Sequence, residues 1–246
     1  MRLKDKSVLV TGGATGIGAG IARRFVAEGA NVTISGRREP LLEELADELG
    51  CHYVAGDVSV PGDPERMVRA ALDAHGALDV LVNNAGVARF SPLADTTDEL
   101  LEMQLDINVK GPYRMTRAAL PHLVAGRGNV LNISSTLAMR GIAGGSAYGA
   151  SKGAVNALTL HLAAELAPQG VRVNCICPAV VETPIFETMM PREQVAGMLD
   201  HMVSIHPIGR VGQPSDVAGA ALYLVSAEAE WVTGVVLAVD GGVTAV

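Results

Sequence analysis

In the run Ala147-Tyr148-Gly149-Ala150-Ser151-Lys152 a phenol and an ammonium stand four residues apart among small side chains. On a helix that spacing puts Tyr148 and Lys152 on one face, with Gly149 and Ala150 leaving their surroundings uncrowded. A free tyrosine ionises near pH 10 and exchanges protons poorly at neutrality. Each unit of lowering requires about 1.4 kcal/mol of preference for the phenolate. An ammonium one helical turn away can supply part of that preference.

A second constellation lies near the start. "LVTGGATGIGAGIARRF" passes from an apolar run into a helix-period segment and sets Gly12, Gly16 and Gly18 at the bend, with Thr15 and Ile17 between them. Glycine there lets backbone N–H groups and a helix N-terminus approach a pyrophosphate. Any tight strand-to-helix turn could use such a triplet; its position in the first such turn of the chain favours dinucleotide binding. An NAD site would carry an acid roughly 20 residues further on, to hold the adenosine ribose hydroxyls. The chain reads Ser35-Gly36-Arg37-Arg38 instead. Gly36 leaves room, Arg37 offers a planar cationic fork for a 2′-phosphate, and Arg38 is a second partner. The expected cofactor is NADP(H), with NAD(H) as the alternative.

These groups need a scaffold, and the pattern supplies one. Seven short apolar runs, at 7 to 10, 31 to 35, 51 to 55, 79 to 83, 129 to 134, 171 to 177 and 235 to 239, alternate with helix-period segments near 16 to 29, 39 to 49, 62 to 75, 97 to 125, 146 to 167 and 214 to 226. Such alternation predicts right-handed crossovers and a parallel sheet in an α/β fold. Gly29, Gly50, Gly76 and Gly170 each follow a helical segment where a left-handed residue ends it. One stretch breaks the rhythm: 182 to 206, interrupted by Pro184 and Pro191, is a candidate lid. Within it Val195, Met198, Leu199 and Met202 recur at helical spacing after Phe186, Met189 and Met190, an apolar face that suits either a substrate or the body of the protein.

Composition narrows the partners. The 246 residues are 49% hydrophobic but only 3% aromatic, so the core is built from Ala, Val, Leu and Ile. A formal charge of -7 and the lack of a basic tract argue against nucleic acid. Cys51, Cys175 and Cys177 form no C-x-x-C, which fits buried thiols in a reducing compartment. No window is apolar enough for a signal or membrane span, so a cytoplasmic protein is expected. His201 and His206 lack an acid or thiol to complete a metal site and read as surface or lid packing.

The motifs "TGGATGIG" at 11 to 18, "NNAG" at 83 to 86, Ser134-Ser135, "YGASK" at 148 to 152 and the ending "GRVGQPSDVAGAALYLVSAEAEWVTGVVLAVDGG" occur in order and correctly spaced. By these the whole chain resembles the short-chain dehydrogenase/reductase family. The resemblance implies one Rossmann-like, doubly wound domain over 1 to 246 with sheet order 3-2-1-4-5-6-7. It places Asp57 and Val58 beside the adenine, and Asn83, Asn84, Ala85 and Gly86 beside the central strand and cofactor. Lys152 is expected to bond the nicotinamide ribose, and Tyr148 to protonate the alkoxide in reduction or accept the alcohol proton in oxidation. Ser135 matches the serine that orients the substrate oxygen, whereas Ser134 falls one place off and reads as structural. Asn108 matches a fourth catalytic residue that holds a water linking the lysine to solvent; its plain alternative is a helix-kink amide.

In "CPAVVETP", Pro178 and Thr183 agree with the family pattern while Ala179 stands where glycine is usual, and Val181 and Thr183 are expected to bracket the carboxamide. Thr15 replaces the basic residue of many NADP-preferring relatives. The implied activity is that of an NADP(H)-dependent carbonyl reductase or secondary-alcohol dehydrogenase on a small or medium apolar ketone, walled by Leu137, Ile142 and Phe90. The alternatives are a 3-oxoacyl carrier-protein reductase, an NAD-dependent alcohol or polyol dehydrogenase, and a nucleotide sensor without chemistry. Against the carrier-protein reading, the mouth offers Arg127 and Arg140 but Gln169 at another expected basic place. Intact Ser135, Tyr148 and Lys152 argue against the sensor. A homotetramer is implied, pairing helices 97 to 125 and 146 to 167 across one interface and the C-terminal strand region across another.

Overall fold

Runs of Val, Leu and Ile too short to be helices form strands that are covered on both faces, as a parallel sheet requires. In the computed structural model, which describes residues 1–246, these are β1 Ser7–Thr11, β2 Asn31–Gly36, β3 His52–Ala55, β4 Val80–Asn83, β5 Asn129–Ile133, β6 Arg172–Pro178 and β7 Val236–Val239. They form one sheet in the order β3-β2-β1-β4-β5-β6-β7, and every neighbouring pair is parallel. The order reverses between β1 and β4, so a crevice opens beyond the carboxyl ends of these two strands, where ligands of doubly wound sheets bind.

The helices are α1 Gly16–Ala27, α2 Glu39–Leu49, α3 Asp63–His75, α4 Asp98–Leu105, α5 Gly111–Gly126, α6 Ser146–Leu166, α7 Arg192–Val203 and α8 Pro214–Val225. On one face Ile21 and Phe25 of α1 and Val217 and Leu222 of α8 cover Val8, Val10, Val32 and Ile34. On the other, Met67, Met115, Leu123 and Leu166 cover Leu9, Leu81, Val130 and Val173. Each of these buried side chains contributes roughly 1.5–3 kcal/mol. Gly29, Gly50, Gly76 and Gly170 all adopt positive φ at helix ends, as expected.

The helix expected over 97 to 125 is instead two, α4 and α5, joined through a wide π turn over Asp106–Lys110. Pro112 explains the break. It has no N–H to offer the Asn108 carbonyl four residues earlier, and its ring would crowd that oxygen. Pairing over five residues relieves the conflict: the Gly111 N–H donates to the Asp106 carbonyl.

Segment 182 to 206 holds a 3₁₀ turn at Pro184–Thr188 and then α7, which starts directly after Pro191. Of the apolar face expected there, Leu199 is buried and Val195, Met198 and Met202 are half-buried. His206 is packing, as expected, with Nδ1 2.8 Å from the Met202 carbonyl; His201 is exposed. No helix is long and apolar enough to cross a membrane.

A polar layer crosses the sheet just below the crevice. Asn83, Asn132 and Cys175 lie in register on β4, β5 and β6. Asn83 Nδ2 donates to Asn132 Oδ1 at 2.9 Å and to Thr116 Oγ1 of α5 at 3.1 Å, and Asn132 Nδ2 donates to Thr159 Oγ1 of α6 at 2.9 Å. Pairing offsets the cost of burying these amides and fixes the height of α5 and α6 on the sheet. That height sets where the side chains of α6 emerge.

Candidate active site

The turn after β1 is built for close approach. A Cβ on Gly18 would lie 2.2 Å from the Gly12 carbonyl oxygen, and Gly16 has φ +56° with Thr183 Cβ only 3.0 Å from where its own side chain would start. Larger residues would fill this cradle. Thr15 is the N-cap of α1, yet no side chain caps the first N–H groups and no acid stands in the first turn. Free donors at the positive end of a helix fit a pyrophosphate.

Asn84 serves the cradle from behind, since its Nδ2 donates to the carbonyls of Thr11 and Gly12, each at 3.0 Å. The Thr11 hydroxyl donates to the Val82 carbonyl and accepts from the N–H groups of Asn84 and Ala85. Thr11 was not foreseen; a hydroxyl ending an otherwise apolar strand was the available signal.

At the adenosine end Arg38 Nη2 donates to Thr15 Oγ1 at 3.0 Å, while Arg37 Nη1 lies 3.7 Å from Asp57 Oδ2. Arg38 thus reaches over the glycine turn and Arg37 leans towards the strand opposite. Val58 is buried, against the backbone of Gly111. On the far side Val181 is buried and bridges Gly212, Pro178 ends β6, and Thr183 stands over Gly16.

Helix α6 brings Tyr148 and Lys152 to the crevice. Lys152 Nζ donates to the Ile133 carbonyl at 2.9 Å and sits 5.9 Å from the centre of the Tyr148 ring. Ser135 lies near enough to the phenol to favour its ionised form. Its Oγ accepts the Leu137 N–H at 3.1 Å, which keeps the hydroxyl proton for the phenol or a substrate oxygen. Ser134 is structural, its hydroxyl donating to the Lys152 carbonyl. Asn108 spends its whole side chain on the protein. Its Oδ1 accepts from the Val87 N–H, and its Nδ2 donates to the Val87 carbonyl and to Ser151 Oγ, which in turn donates to the Tyr148 carbonyl. The amide therefore ties the Gly86–Val87 loop to the helix of Tyr148. With Pro at 112, the Asn108 main-chain carbonyl receives no N–H from the residue four places on.

The family described as enoyl-(acyl carrier protein) reductase matches residues 12–244. An L-fucose dehydrogenase of Mus musculus is 41% identical, over 98% of this chain and 89% of the relative. Oxidoreductase UcpA of Escherichia coli (strain K12) is 37% identical, over 99% and 96%. Among solved structures, a short-chain dehydrogenase/reductase of unknown function from Caenorhabditis elegans, with cofactor, superposes with TM-score 0.95 at 32% identity, covering 100% and 97% of the two chains. A 3-ketoacyl-(acyl-carrier-protein) reductase from Brucella melitensis, complexed with NADH, gives 0.92 at 37%, covering 98% and 99%. The chain belongs to the short-chain dehydrogenase/reductase family.

As a member of that family the protein is a nicotinamide-dependent oxidoreductase acting on carbonyl and CH–OH groups. In this short-chain dehydrogenase/reductase, with no cofactor charge beside it, burial governs the phenol. Loss of solvent pushes the Tyr148 phenol up to about 12, against the Ser135 hydrogen bond. The same burial pulls Lys152 down to about 8. The ammonium, which stays charged at neutral pH, is turned to the Ile133 carbonyl, and in the free protein burial outweighs what it offers the phenolate.

A cavity of about 470 Å³ opens between the 137 to 145 loop and the first turn of α6, lined by Leu93, Leu137, Met139, Arg140 and Ile142 among others. Leu137 and Ile142 line this cavity, and Phe90 packs edge-on to Tyr148, 5.6 Å between ring centres.

Proposed function

We propose that the protein is an NADP(H)-dependent reductase of small or medium ketones, working reversibly as a secondary-alcohol dehydrogenase. The reading rests chiefly on Ser135 and Tyr148: a hydroxyl whose lone pair is already occupied by Leu137 N–H stands beside a phenol that stays protonated at neutral pH. Two O–H donors converging on one point are what a ketone oxygen needs as it gains charge. A nicotinamide bound over the glycine cradle supplies the hydride in reduction and takes it back in oxidation. Ser135 holds the substrate oxygen, Tyr148 gives up the proton, and Lys152 bonds the ribose and returns positive charge to the phenol's side. Asn108, by its main-chain carbonyl, holds the water through which the proton is replaced. Gly12, Thr15, Gly16, Ile17 and Gly18 carry the pyrophosphate, and Asp57, Val58, Asn84, Ala85, Gly86, Pro178, Val181 and Thr183 complete the cofactor site. The residues 1 to 246 act as one domain, with 182 to 206 as its lid.

The preference for NADP(H) rests on Arg38 above Thr15 with Arg37 beside it, and on the lack of an acid at the end of β2. Replacing Arg37 by Asp, or Arg38 by Leu, is expected to weaken NADPH at least about tenfold more than NADH, since each phosphate hydrogen bond to a charged group contributes about 1.5–3 kcal/mol. Fluorescence titration with the two cofactors checks this; equal losses for both would refute the phosphate role. A second reading, reduction of 3-oxoacyl thioesters, is favoured by the likeness to the Brucella melitensis reductase and by Arg140 at the cavity. Turnover of thioesters but not free ketones would establish it.

A homotetramer is also proposed. Tyr113 on α5 and Leu160 on α6 are half exposed, and Trp231 before β7 is 98% exposed, so large apolar groups stand open on the two faces expected to pair. Sedimentation is expected to give four chains per particle; a stable monomer would overturn it. Three free cysteines support a reducing, cytoplasmic setting.

A further inference from the structure

Between the phenol and the lid runs a stretch outside helix and strand, 87 to 91, whose main chain is fixed at every second residue. Val87 is held at both its N–H and its carbonyl by Asn108. Ser91 N–H donates to the Gly144 carbonyl at 2.9 Å. Arg89, between them, is held by Gln104, whose Oε1 accepts the Arg89 N–H at 3.2 Å and whose Nε2 donates to the Arg89 carbonyl at 3.3 Å. Gln104 is fully buried. A buried primary amide that spends both ends on one residue's backbone is a costly way to order a surface loop. What it secures is the point from which the Arg89 side chain leaves the chain.

That side chain turns under the lid. Arg89 Nη1 donates to the Ala88 carbonyl and to Thr188 Oγ1, both at 2.8 Å, so the guanidinium bridges the loop and the 3₁₀ turn of segment 182 to 206. Nε and Nη2 have no acceptor in the protein, yet neither is sealed from solvent. No Asp or Glu pairs with Arg89. The next residue, Phe90, lies against the Tyr148 ring. An unpaired cation is thus fixed between the loop and the lid, its Nε–Nη2 edge open to solvent, one residue from the side chain that touches the phenol. The Nε–Nη2 edge is the flat two-donor fork that matches a carboxylate.

We propose that Arg89 anchors a carboxylate of the substrate, so that the preferred substrates are oxo acids, or the corresponding hydroxy acids, with an apolar body between the reacting carbon and the acid group. A single cation with two free donors in one plane suits a singly charged carboxylate better than a phosphate, which would call for further positive groups. The bond to Thr188 adds a consequence: an acid seated on Arg89 meets the lid as well as the loop.

The proposal rests on the reductase reading for its chemistry but not for its test. Aliphatic oxo acids of increasing length and their methyl esters are compared as substrates and, by calorimetry, as ligands of the cofactor-loaded protein, in wild type, Arg89→Leu and Arg89→Lys. For the length that fits, kcat/KM for the acid is expected to exceed that for its ester by about ten- to a hundredfold, the usual effect of a charge-assisted pair. Arg89→Leu should erase that ratio through KM, and Arg89→Lys should keep part of it. Arg89-dependent binding of acids without any turnover would keep the anchor and remove the reductase reading. Equal turnover of acids and esters, or acid binding that Arg89→Leu leaves unchanged in a variant melting like wild type, would overturn the anchor alone.

Discussion

Replacing Tyr148 by Phe is expected to lower turnover by about 10²- to 10⁴-fold, the range for a positioned acid/base, while cofactor affinity stays near wild type. The ring is kept, so its contact with Phe90 and the packing of α6 persist; only the hydroxyl that faces Ser135 is lost. In the free protein the phenol is protonated up to about pH 12, which equips it to give a proton in reduction. Oxidation needs the phenolate. Alcohol oxidation by the wild type should therefore climb as pH rises, and ketone reduction should fall only once pH reaches the phenol's own pKa. Steady-state rates in both directions across pH check this. Retained turnover in Tyr148→Phe would remove the proton-transfer role.

Replacing Lys152 by Met is expected to reduce turnover by about 10²-fold or more, through loss of a charge aimed at the reacting site. Its effect on stability is of opposite character. Burial lowers the lysine from 10.5 to about 8, which corresponds to roughly 3 kcal/mol against keeping it charged in the folded state. The folded pKa lies below the unfolded one, so between about pH 8 and 10.5 the unfolded chain holds the proton that the folded chain has released. Raising pH through that window favours the fold, by up to about 1.4 kcal/mol per unit. Denaturant melts should show the wild type gaining stability relative to Lys152→Met as pH rises above about 8. Below that pH the difference should be flat. A wild type that loses ground to the variant over the same window would contradict the account. The variant also leaves the Ile133 carbonyl without its donor, which offsets part of the relief but does not depend on pH.

The seven strands were legible because each is a short run of branched apolar residues closed by glycine or a polar residue, and their observed ends lie within about a residue of those expected. Sheet order was not in the periodicity; it came with the resemblance, since alternation fixes hand and direction but not neighbours. The break at Asp106–Lys110 was hidden for a different reason. Pro112 falls where a helix start would tolerate it, and only its collision with the Asn108 carbonyl shows that a helix was already under way.

Types and spacing pointed to the candidate residues that line the crevice, and missed those that support them from behind. Tyr148 and Lys152 declare themselves by a spacing of four. Gln104, Thr11 and Ser151 do not, because an amide or hydroxyl that clamps a loop distant in sequence has no local pattern. Burial was the other hidden factor: four-residue spacing shows an ammonium near a phenol, but not that both are out of solvent, which in the free protein raises the phenol and lowers the lysine.

The central claim is best tested by loading the protein with NADPH and following reduced-nicotinamide fluorescence as ketones are added. The account predicts tight binding, then loss of the signal with ketones, fastest with those that carry a carboxylate. Tight binding with no oxidation by any ketone, acid or thioester would contradict it and leave a nucleotide sensor on the same fold.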